Sequence, residues 1–86
     1  VRYTVSITDS AAKEIKRLPQ KETARIIAKL SALQDDPRPP GCVKLEGSRE
    51  DMWRIRSGDY RAIYVIDDKA KRVEVRRVRH RSKAYE

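Results

Sequence analysis

Residues Met52–Ile66 read MWRIRSGDYRAIYVI, two alternating runs separated by Ser57-Gly58-Asp59. Successive side chains of a strand point to opposite faces, so Trp53 and Ile55 share one face while Arg54 and Arg56 share the other. The Ser-Gly-Asp turn makes the two runs antiparallel neighbours and lets Arg61 lie close to Arg54 and Arg56 across a β-hairpin. One hairpin is thus expected to carry an apolar face and a cationic face.

Downstream, Asp67-Asp68-Lys69-Ala70-Lys71 supplies a second turn and Arg72–Val78 a further strand. Val73 and Val75 share a parity in this strand, whereas Val78 falls on the other. The slip lies at Arg76-Arg77, where a β-bulge would return Val78 to the inner face. A regular ladder through those two arginines would refute that reading.

Upstream, Val43–Leu45 reads as a short strand, preceded by Asp35-Asp36-Pro37-Arg38-Pro39-Pro40-Gly41, a loop in which three prolines bar helical continuation. Gln20–Leu33 has helical periodicity, with Ala24, Ile27, Leu30 and either Ala28 or Leu33 as the expected apolar stripe. Thr8-Asp9-Ser10 offers N-caps to a shorter helix bearing Ala11, Ile15 and Leu18, and Pro19 stops that helix or opens the next. Val1, Tyr3, Val5 and Ile7 alternate with polar residues, as in a half-buried strand. The expected fold is α+β: an N-terminal strand, an αα-hairpin, then antiparallel strands forming one small sheet with the helices on one face. Residues 1–86 are expected to form a single domain.

The chain carries 21 Lys and Arg against 13 Asp and Glu, a net charge of +8 that favours a polyanionic partner. The excess is concentrated near the C-terminus, so a nucleic acid or an acidic protein partner should meet that half, with Arg76, Arg77, Arg79 and Lys83 as the candidate RNA-binding residues. Cys42 is the only cysteine and His80 the only histidine, which argues against a disulfide or a metal centre, and a chain this short is not expected to be a two-domain enzyme with a bound cofactor. No apolar run approaches the length of a membrane span and no signal core precedes the first strand, so a cytoplasmic protein without membrane association is expected.

Surface arginines are common and a lone histidine is more often structural than catalytic. The set Arg54, Arg56 and Arg61 is different, because like charges crowded on one sheet face repel and imply an anion that compensates them. In the tail, Arg79, His80, Arg81, Lys83 and Tyr85 combine phosphate-binding cations, an imidazole and a ring able to stack on an unpaired base, a mixture suited to single-stranded RNA. No Gly-rich phosphate loop, carboxylate dyad or serine nucleophile motif is present.

The strings Lys44-Leu45-Glu46-Gly47, Trp53-Arg54-Ile55-Arg56, Gly58-Asp59-Tyr60-Arg61-Ala62-Ile63-Tyr64 and Val78-Arg79-His80-Arg81, in this order after a strand and a helical hairpin, resemble the RelE/ParE toxin superfamily. The resemblance spans nearly the whole chain. It implies the toxin of a type II toxin–antitoxin system, held in a hetero-oligomer by its cognate antitoxin. When free, such a toxin of the RelE type enters the ribosomal A site and cuts messenger RNA by metal-independent attack of a 2′-hydroxyl.

On that resemblance Arg54 and Arg56 match two basic positions, often lysines, and Arg61 matches an arginine on the scissile phosphate. Arg81 matches the group assisting the leaving oxygen, and Tyr85 the tyrosine that stacks on the base. Arginine in place of lysine at 54 and 56 removes the obvious general base, since a guanidinium scarcely deprotonates. His80 is then a further catalytic candidate, against the reading in which fixed arginines align the strand and hold developing charge. Two other functions share the fold: the gyrase-inhibiting branch of the superfamily, without nuclease activity, and a non-catalytic RNA- or ribosome-binding module.

Overall fold

A computed structural model describes residues 2–83; Val1 and residues 84–86, and with them the candidate Tyr85, lie outside the described residues. The elements are β1 (Thr4–Ile7), α1 (Asp9–Lys16), α2 (Gln20–Ala32), β2 (Val43–Lys44), β3 (Met52–Ser57), β4 (Tyr60–Asp67) and β5 (Arg72–His80), then a 3-10 turn at Arg81–Lys83. They build one five-stranded sheet in the order β1-β5-β4-β3-β2. All neighbours are antiparallel except β1 and β5, which run parallel. The two helices carry the chain across one face of the sheet from β1 at one edge to β2 at the other, and the antiparallel run β2–β3–β4 returns it to β5 beside β1.

The expected hairpin is β3–β4, with Ser57 opposite Tyr60, Arg56 opposite Arg61 and Ile55 opposite Ala62. Gly58 has φ +60° while Asp59 has no positive φ, as a two-residue type II′ turn requires. A Cβ at Gly58 would also come within 3.0 Å of the Glu22 carboxylate. The bulge is present too: Ile63 faces Arg77 and Tyr64 faces Val75, leaving Arg76 as the extra residue. Val73, Val75 and Val78 are all buried as a result.

Thr8 caps α1, its hydroxyl accepting from the Ala11 amide at 3.2 Å. Pro19 is the N-cap of α2, while α1 ends two residues earlier with Arg17 as its C-cap. The expected apolar stripe of α2 needs correction. Ile26, Leu30 and Leu33 are the buried residues, whereas Ala24 is exposed and Ile27 is 40% exposed. Ile26 and Ile27 lie about 100° apart around the helix, and both belong to stripes with helical spacing. Packing against β3 selects the Ile26 stripe.

Ala11, Ile15, Ile26, Leu30 and Leu33 from the helices meet Ile55, Ala62, Tyr64, Ile66, Val73, Val75 and Val78 from the sheet in one core. Each large aliphatic side chain buried there contributes about 1.5–3 kcal/mol. Tyr64 is fully buried and donates its hydroxyl to the Pro37 carbonyl at 2.8 Å, which fixes the proline loop over the β3–β4 end of the core. Burial also raises the pKa of that hydroxyl, so it stays a donor.

Next to this anchor, Arg38 bonds Asp51 and Asp68 and lies 5.4 Å from the centre of the Trp53 ring. Tyr3 donates to Asp68 at 2.6 Å, and Trp53 Nε1 to Asp51 at 2.8 Å. The proline loop, the chain before β1, the start of β3 and the β4–β5 turn are thereby joined. Arg38 and then Tyr3 hold the Asp68 carboxyl at about 2, below its ordinary 3.8.

Two stability measurements test this fold. Tyr64→Phe leaves the Pro37 carbonyl without its partner and is expected to cost about 1–2 kcal/mol in urea unfolding. Because Asp68 is depressed in the folded protein, its contribution is complete above the unfolded value and disappears as pH falls towards about 2. Asp68→Asn is therefore less stable than wild type at neutral pH but loses less stability between about pH 4 and about pH 2.

Candidate functional site

The helices cover one face of the sheet, so residues of the other parity stand on the uncovered face. There the pairings align two adjacent rungs: Arg54–Ile63–Arg77 and Arg56–Arg61–Arg79. Five arginines thus share neighbouring rungs, three of them contributed by the β3–β4 hairpin. Arg81, first residue of the 3-10 turn, donates its amide to the Asp59 carbonyl at 2.7 Å, which ties it to the hairpin turn beside Arg61.

Arg61 is the centre of this group. Burial chiefly, and then the charges of Arg56, Arg54 and Arg81, lower its pKa, with Asp59 opposing. The structure therefore places Arg54, Arg56 and Arg81 within electrostatic reach of Arg61. Arg61 donates to the carbonyls of Gly58 and Tyr60 at 3.2 and 3.1 Å, which orients its guanidinium at the turn. Among the described residues no carboxylate forms an ion pair with Arg56 or Arg61. Crowded cations without an ion-pair partner, one of them oriented at the turn, suit the phosphates of a single strand or the charge of a phosphorane.

The other candidates separate into different environments. Arg76, at the bulge, meets both oxygens of Glu50 at 2.6 Å and Glu74 at 2.7 Å, so its charge is neutralised within the chain. Arg79 donates to Glu14 of α1 at 3.2 Å, and Arg77 stands 3.8 Å from the same carboxylate. Lys83 is exposed on the 3-10 turn, beside a recess lined by Arg17, Tyr60 and His80.

His80 shares the parity of Val78 and faces the helical side. Its ring meets Tyr60 edge-on at 5.5 Å, and its Nδ1 accepts from the Ser82 amide at 3.3 Å. This histidine is turned away from the arginine rungs.

Sequence reasoning did not single out Glu14, Glu50 or Arg38. Each acts through a partner 13 or more residues away, and nothing in the local pattern distinguishes these side chains from solvated surface charges. A large groove also runs between α2 and the β3 edge, lined by Ala28, Ala32, Pro39 and Ile55 with Arg25 and Arg56 at its rim. Among the described residues no group of three or more His, Cys, Asp or Glu is arranged to hold a metal ion.

With this geometry in view, comparison with known proteins gives a consistent answer. A family model described as the ParE toxin of type II toxin–antitoxin systems matches residues 5–85. Toxin RelE of Mycobacterium tuberculosis is 37% identical over 84 residues, covering 96% of this chain and 86% of the relative. The structure of an archaeal RelE–RelB complex from Pyrococcus horikoshii superposes with a TM-score of 0.85 at 31% identity, covering 98% of this chain and all of that one. The toxin–antitoxin complex RelBE2 of Mycobacterium tuberculosis gives a TM-score of 0.81 at 30% identity, covering 93% and 99%.

The division between neutralised and uncompensated arginines has a direct test. For a labelled single-stranded oligonucleotide, Arg61→Ala should reduce the slope of log affinity against log salt by about 0.7, the share of one phosphate contact. Arg76→Ala should change that slope far less, because Glu50 and Glu74 already occupy its guanidinium. Equal effects in fluorescence anisotropy would contradict the division.

Proposed function

The chain belongs to the ParE toxin family of type II toxin–antitoxin systems, on its RelE-like side, and from that premise we propose that it is a ribosome-dependent endoribonuclease that cuts messenger RNA in the A site. The observation that carries this reading is the cluster of Arg54, Arg56, Arg61 and Arg81 at the hairpin end of the uncovered sheet face. Residues 1–86 act as one toxin domain in the cytoplasm. A cognate antitoxin restrains the toxin in a hetero-oligomer, as suits a chain similar to proteins solved in RelE–RelB and RelBE2 complexes.

In the proposed mechanism Arg61 binds the scissile phosphate, Arg54 and Arg56 align the strand, and Arg81 stabilises the departing 5′-oxygen. The RNA supplies its own nucleophile. Attack of the 2′-hydroxyl on the adjacent phosphorus forms a cyclic phosphate and releases a 5′-hydroxyl, with no metal ion needed. The arginines act by alignment and by holding the extra negative charge of the phosphorane, while water or the ribosome carries the protons. His80 stands on the helical face and has no part in this scheme. Tyr85 is retained as the group stacking on a base, and Arg77, Arg79 and Lys83 as flanking cations.

Mapping message ends after incubation with translating ribosomes tests the proposal. Wild type should give 2′,3′-cyclic phosphate and 5′-hydroxyl ends within A-site codons. Arg61→Ala should lower single-turnover cleavage about 100-fold, the usual cost of one charge-stabilising donor, whereas substituting His80 by Ala should change it little. Intact messages together with inhibition of gyrase supercoiling would select the gyrase-inhibiting reading instead. Full activity in Arg61→Ala would reject the phosphate clamp.

A further inference from the structure

The segment that carries Arg77, Arg79 and Arg81 lies on a strand edge that β1 does not reach. β1 pairs with β5 only from Arg72 to Val75. Beyond that point the outer edge of β5 would expose unpaired backbone, just where the Arg76 bulge has already interrupted the inner ladder. Backbone and side-chain groups of the α1 region take over there. The Thr8 amide donates to the Val75 carbonyl at 3.0 Å, and the Thr8 hydroxyl to the Arg76 carbonyl at 3.3 Å.

One helical stretch further on, Glu14 Oε1 accepts from the Val78 amide at 2.9 Å. Its other oxygen accepts from Arg79 Nε at 3.2 Å and stands 3.8 Å from Arg77. The Glu14 side chain is 20% exposed. A half-buried carboxylate meeting one amide and two guanidiniums is well compensated, and it would be costly to displace.

We propose that Glu14 is a positioning residue for the cationic site: its carboxylate stands in for the missing strand along the end of β5 and fixes where the Arg77–Arg81 segment stands relative to Arg61. The catalytic part of this inference rests on the nuclease reading above; the edge-capping part does not. Glu14 touches no reacting atom in that scheme. It acts by holding the backbone whose next residues carry Arg79 and Arg81, and Arg81 is tied at its far side to the Asp59 carbonyl. The last strand is therefore pinned from two sides, by α1 and by the β3–β4 turn.

Amide hydrogen exchange and cleavage kinetics on the full chain separate the two parts. Glu14→Ala should speed exchange at Val78 by about tenfold or more, leaving the β1-covered amides of Val73 and Val75 near wild type. Glu14→Gln keeps an oxygen for the Val78 amide and should retain the protection, which guards against a fold effect of the alanine variant. On ribosome-bound messages Glu14→Ala should lower kcat about tenfold with KM unchanged or smaller, since losing a carboxylate cannot weaken attraction for RNA. Glu14→Gln should recover most of that loss.

Unchanged exchange at Val78 in Glu14→Ala would overturn the edge cap. Lost protection with kcat intact, or a rise in KM alone, would overturn the positioning role. A wild-type protein that cuts no message overturns the nuclease reading and the catalytic part with it, while the exchange at Val78 still decides the edge cap.

Discussion

Strand alternation within the β3–β4 hairpin is the constraint on which the rest of the molecule depends. Ile55 and Ala62 face each other under the helices, so Arg56 and Arg61, one residue along on each strand, must face each other on the uncovered side. A slip of one residue in one strand would turn its arginines towards the core. Burying an uncompensated guanidinium costs several kcal/mol, a large part of a typical folding stability of about 5–15 kcal/mol. The core and the cationic face are therefore specified by the same register. The type II′ turn at Gly58, with Glu22 and Arg25 packed above it, leaves that register little freedom.

With 21 cations and 13 anions the chain must leave some positive charge uncompensated, and the fold decides where. Glu50 and Glu74 neutralise Arg76, while Glu14 serves Arg77 and Arg79. Arg38 is absorbed between Asp51 and Asp68. Among the described residues the hairpin end of the sheet offers no such partner to Arg56 or Arg61. Exposed ion pairs of this kind contribute little stability individually. Their larger effect is local: they neutralise Arg76, Arg77 and Arg79 on β5, so that Arg56 and Arg61 keep their full charge beside them.

Much of this was legible in the sequence because it is local. The period of two in MWRIRSGDYRAIYVI, a helix cap within Thr8-Asp9-Ser10 and the parity slip at Arg76-Arg77 each involve neighbours along the chain, and each appears in the structure. The face of α2 was not legible, because Ala24 with Ile27 and Ile26 with Leu30 both satisfy helical spacing and only the β3 surface chooses between them. The carboxylates that sort the arginines were also hidden. Glu14 reaches Val78 across 64 residues and Glu50 reaches Arg76 across 26, and no periodicity encodes such contacts. Arg56 and Arg61 could be named from sequence, but which of the neighbouring arginines meet a carboxylate could not.

That sorting bears on the chemistry as well as on binding. A guanidinium stays charged at neutral pH even where burial and neighbouring cations lower its pKa, as they do at Arg61. A site built from Arg54, Arg56, Arg61 and Arg81 can therefore attract, align and stabilise charge, but it has no side chain of its own suited to remove a proton. The one imidazole is fixed on the opposite face by Tyr60 and Ser82. A site of this composition is most effective when its substrate arrives already held in a reactive geometry, because stabilising developing charge accelerates only what is correctly placed. This is the physical reason a ribosome-bound message fits the proposed reaction better than free RNA: the bound strand supplies the alignment that an arginine-only face lacks.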